Sequence, residues 1–114
     1  MAFPNTYNIN YYEGDTYEFN ISPKNSDGSV YNLTGFLPTF TIASSRGPSP
    51  DFSISATAAK NDTGTTIECS ITPTVGRQLV EGTQYVYDVQ IASSSKTFTL
   101  LTGTITVTAD VTGA

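Results

Sequence analysis

Ten acidic side chains, five basic ones and no histidine bound the chemistry that this 114-residue chain can carry out. Without histidine, Ser-His-Asp and Cys-His mechanisms are excluded, because no imidazole remains to take the nucleophile's proton. The single cysteine, Cys69, cannot form an internal disulfide, and it cannot build a Cys- or His-rich zinc site. It sits between Ile67 and Ile71 at period two, so it reads as a small buried hydrophobe and not as a reactive thiol. No glycine-rich turn runs into Lys-Ser/Thr, and no GxGxxG occurs, so the chain has no phosphate loop. No cofactor is expected.

Carboxylates remain. Glu13, Asp15 and Glu18 gather around one turn and could supply oxygen ligands to calcium. A solvated turn is the simpler reading and is preferred. The same holds for Asn61-Asp62-Thr63-Gly64, which lacks the spaced acids of a calcium loop. Asp88 lies mid-strand between Tyr87 and Val89, where glycoside hydrolysis would need a second carboxylate facing it. No such partner is evident, so pairing with Arg77 or Lys96, or plain exposure, is expected. Seven tyrosines and six phenylalanines could stack on sugars, but tryptophan is absent and most of these rings fall on the apolar parity of their strands. They are assigned to the core. Tyr12 breaks that parity and is the expected exposed contact. The chain is expected not to be an enzyme.

These side chains hang on elements that hydrophobic period makes readable. Tyr7, Ile9 and Tyr11 alternate, and so do Tyr17, Phe19 and Ile21 beyond the Glu13-Gly14-Asp15 turn. An Asp27-Gly28 turn precedes a short strand over 30–33. Leu37, Phe40 and Ile42 mark another strand, with Pro38 at an edge or a first position because it donates no ladder bond. Phe52 to Ala56 and Ile67 to Ile71 follow. Val75 and Leu79, spaced i and i+4, predict a short helical crossover near 74–81, with Thr74 as cap and Gly82 as stop. The hairpin of 85–91 and 96–100 runs on into 101–108. Phe98 and Leu100 hold one parity there, and Leu101, Ile105 and Val107 the other, so a bulge near Leu100-Leu101 is required.

The sum is an all-β chain of seven or eight short strands, the profile of an antiparallel β-sandwich. Residues 1–8 read as a flexible N-terminal arm and 9–112 as one domain. Charged residues make up 13% of the chain against an ordinary share of about 25%. The net charge of −5 disfavours nucleic acid as a partner. No apolar run reaches the ~18 residues of a membrane helix, and the N-terminus lacks a basic region before an apolar one. A soluble protein made in a cytosol, without membrane contact, is expected.

Glu13-Gly14-Asp15-Thr16-Tyr17-Glu18-Phe19, followed by Asp27 to Gly35, resembles the opening of small immunoglobulin-like domains in the virions of tailed phages. Val80 to Ile91 and Leu101 to Val107 look like the paired closing strands of that family, which includes the N-terminal domain of baseplate upper proteins. The likeness covers residues 10–110. It implies an immunoglobulin-like sandwich and a non-enzymatic virion building block, made in the host cytoplasm and located on the particle. A capsid accessory subunit, as decoration or head fibre, is the leading expectation. The chain stops at Ala114, where a baseplate protein would continue, and this favours an accessory over a receptor-binding role. A tail, neck or baseplate adaptor is the alternative, and a carbohydrate-binding module is the rival from another class. Other virion proteins are the expected partners, with copies of the same chain an open alternative. Phe3 and Tyr7 on the arm, together with Tyr12, are the expected partner contacts.

Overall fold

The computed structural model describes residues 5–25, 27–47 and 50–109. Eight strands and one helical turn are formed: β1 (Asn5–Thr6), β2 (Ile9–Tyr12), β3 (Tyr17–Ile21), β4 (Leu37–Ala43), β5 (Ser53–Lys60), β6 (Ile67–Ile71), α1 (Pro73–Gly76), β7 (Gln84–Ala92) and β8 (Thr97–Thr108). They make a curled mixed sheet in the order β1-β8-β7-β4-β5-β6-β3, with β2 continuing along β8. β5 curls the sheet because its two halves serve different neighbours. Ser53 to Ala56 pair with β4, and Thr57 to Lys60 pair with β6. The last strands thereby fold over the first ones, and Phe19 of β3 meets Phe40 of β4 edge-on at 5.5 Å between ring centroids.

Alternation does what period two requires. Ile9 and Tyr11, Phe40 and Ile42, Ile67, Cys69 and Ile71, and the odd residues from Tyr85 to Ile91 all point inward and are buried. The expected bulge is present. Val89 pairs with Leu101 and Gln90 with Thr99, so Leu100 is the extra residue, and both leucines stay inside. Pro38 lies where β5 does not reach, since β5 pairs only with Phe40 to Ala43.

Three expectations need correction. The sheet is not wholly antiparallel, because β1 and β2 both run parallel to β8. A parallel pair needs a long crossover, and here nearly the whole chain between Ile9 and Ile105 is that crossover. The strand expected over 30–33 is a loop that makes one bridge, Val30 to Lys24. Its backbone is satisfied elsewhere: Leu33 N donates to Gly64 O, and Lys60 Nζ donates to Leu33 O and Phe36 O. The helix is one turn, not two, and Thr72 caps it in place of Thr74, accepting from Val75 N at 3.4 Å. Pro73 then takes the first helical position, where its missing N–H costs nothing.

Residues 1–4 of the expected arm lie outside the described residues. Residues 5 and 6 form β1, and Tyr7 N donates to Thr102 O at 2.9 Å. The buried Tyr87 hydroxyl donates to Tyr7 O at 2.5 Å from across the core. Gly103 makes this approach possible, since a Cβ there would stand 2.1 Å from Tyr7 O. Gly103→Ala should therefore destabilise the fold by about 1–3 kcal/mol by pushing the first strands off β8. Tyr87→Phe should cost about 1–2 kcal/mol through the lost hydrogen bond. Urea unfolding of both variants checks this, and unchanged midpoints would refute the clamp.

Candidate functional site

Of the three expected contact residues, Phe3 lies outside the described residues. Tyr7 is 47% exposed and leans from the N-terminal strand onto β3, sharing a hydrogen bond with the Tyr17 hydroxyl at 3.0 Å and lying 6.5 Å from the Phe19 ring. Burial, and then the bond to Tyr7, push the Tyr17 phenol up to about 12. Tyr12 is 54% exposed and points outward from β2, on the parity of Asn10, opposite the buried Ile9 and Tyr11. The structure thus sets Tyr7 and Tyr12 on different surfaces. Tyr7 stitches two strands together, whereas Tyr12 is available to a partner.

The broadest uninterrupted surface is the outer face of β4, β7 and β8. Bulge included, β8 turns Thr97, Thr99, Thr102, Thr104, Thr106 and Thr108 outward. β7 adds Gln84, Val86, Asp88 and Gln90 to the same face. Asp88 carries its one negative charge. The cation beside it is Arg46, from the β4–β5 loop, and not Arg77 or Lys96 as expected from sequence. Arg46 Nη2 donates to Gly103 O at 3.0 Å, which holds the loop down over the sheet. Between loop and sheet lies a cleft of about 260 Å³, lined among others by Thr41, Ala43, Ser45, Pro50, Ser53 and Val86. No spacing rule links Arg46 to Asp88; the β4–β7 pairing, which joins distant parts of the chain, brings them together.

The other chemical candidates resolve into structure. At the first acidic turn, Asp15 N donates to Tyr12 O, and the Tyr11 hydroxyl donates to Asp15 O at 2.6 Å. Asn61 organises its own turn, its Oδ1 accepting from Thr65 N and Thr66 N at 2.9 and 3.1 Å. Among the described residues, no three acidic or cysteine side chains converge on a common point. Cys69 is buried, and burial pushes its thiol up to about 12. No protein-family model matches the chain, and no curated protein is significantly similar to it.

Burial raises the Asp88 carboxyl above its ordinary value of 3.8, against the opposing pull of Arg46. The folded state therefore binds more protons than the unfolded one in the window just above that value, and stability falls as pH rises through it. Asp88→Asn should remove this fall, making the variant the more stable protein at neutral pH and no more stable at pH below the window. Parallel thermal melts across pH test the sign, and a less stable variant at neutral pH would overturn it. Cys69 should label with a thiol reagent only on unfolding, since its thiolate is roughly a thousandfold scarcer than that of a free cysteine at the same pH. Native labelling as fast as labelling in urea would contradict the burial.

Proposed function

We propose that this chain is a non-enzymatic structural subunit of a phage particle, a capsid accessory protein that docks on neighbouring virion proteins. The observation that carries the reading is the outer face of β7 and β8, which presents a continuous run of threonine hydroxyls and amides with one charge, Asp88. Such a face suits contact with a partner, because the centres of protein interfaces are depleted of charge. The motifs over 13–19, 27–35 and 80–107 supply the virion half of the reading.

The same proposal takes the curled sheet as an immunoglobulin-like sandwich. In its favour, β2 runs parallel beside β8, while β3 and β6 face β4 across the core. The Tyr85 hydroxyl, at the start of β7, also accepts from Val80 N at 2.9 Å, five residues upstream. That arrangement matches the tyrosine corner of immunoglobulin-like domains. A tail, neck or baseplate adaptor would use the same surfaces.

Proteomics of purified particles, with heads and tails separated, tests the reading. Recovery with heads is the expected result. Recovery with tails would move the chain to the adaptor role, against the capsid assignment, and recovery only from host cytosol would refute a virion role.

A further inference from the structure

The outer face of β4 and β7 carries a knob at one end of β4 and a hole at the other. Leu37, level with Ala92, is 72% exposed, the largest exposure among the bulky apolar residues described. Ala43, level with Val86, opens into the cleft of about 260 Å³ under the β4–β5 loop. The two ends are six residues apart on one strand, about 20 Å. A two-fold axis lying across the strands at the level of Phe40 and Val89 carries each end onto the other. We propose that this face binds a second copy of the same chain, with Leu37 of each copy seated in the other's cleft against Ala43, Pro50 and Val86.

Three observations favour a second copy over a different partner. The first is self-complementarity. The rotation that seats Leu37 also brings Gln90, level with Thr39, over the partner's Asp88, level with Thr41. Each carboxylate thereby gains an amide donor, and each residue pair occurs twice, as an isologous interface requires. The second is charge. Asp88 and Arg46 cancel on this face, while Glu18 and Glu68 line a groove on the β3–β6 side of the core. Face-to-face pairing keeps those acidic surfaces on the outside, far apart, despite a net charge of −5 per chain. The third is area. Four strands at about 4.8 Å spacing, along a β8 of 12 residues, span roughly 750 Å². A standard interface uses about 800 Å² on each side.

The proposal concerns the purified chain and stands apart from the particle reading, which has its own test. Sedimentation velocity up to about 200 µM should give a species of twice the 12.2 kDa chain mass. Leu37→Arg removes the knob and Gln90→Glu sets like charges over each other; each should weaken the dimer at least about tenfold. Thr57→Arg, on the acidic side, should leave it unchanged. All three positions lie at the surface, and unchanged melting temperatures would show that the variants fold. A wild-type chain that stays monomeric throughout would overturn the proposal. So would dimers that survive both Leu37→Arg and Gln90→Glu, or a dimer that Thr57→Arg weakens as much as they do.

Discussion

Everything in this fold depends on the first strands being held against the last one. β1 and β2 have no hairpin to tie them to β8, so the register must come from contacts made across the molecule. The Tyr87 hydroxyl supplies one by binding Tyr7 O, and Gly103 leaves the room that this approach needs. Tyr7 then turns the clamp into a closure by reaching Tyr17 on β3, the opposite edge of the sheet. A row of unpaired backbone groups at either edge would invite other chains. Here the two edges are drawn towards each other by side chains where no ladder joins them.

Much of this was legible before any coordinates. Period-two alternation located the strands, and the parity switch at Leu100-Leu101 required the bulge that keeps both leucines inside. Such signals are local, so one strand suffices to read them. The parallel pairing of Ile9 with Ile105 leaves no comparable trace, because it is decided by what remains unpaired after everything between has folded. The loop over 30–36 misled for a related reason. Val30 and Leu33 carry a strand's composition, but Lys60 and Gly64 take up the hydrogen-bonding groups that a ladder would have used. The cation beside Asp88 was misassigned because Arg46 approaches on a loop from a different strand.

The candidate site shows the same division. Tyr12 could be picked out as exposed from its parity alone, and it is. Tyr7 was grouped with it as part of a loose arm, yet its ring and both backbone groups have structural work to do. The cleft beneath the β4–β5 loop had no signature, since its walls are ordinary serines, threonines and alanines made concave only by how the loop lies.

The parallel pairing of the chain's two ends also bears on how the protein is made. On a ribosome, β2 emerges early and its partner β8 late, so Ile9 and Tyr11 must wait, without their ladder, through most of translation. Contacts that span so much sequence make folding slow, because the closure entropy falls due before the contact can repay it. The nascent chain is therefore most open to capture by another polypeptide during synthesis. Its best-protected state arrives only once the last strand has slid in between β7 and the waiting N-terminus.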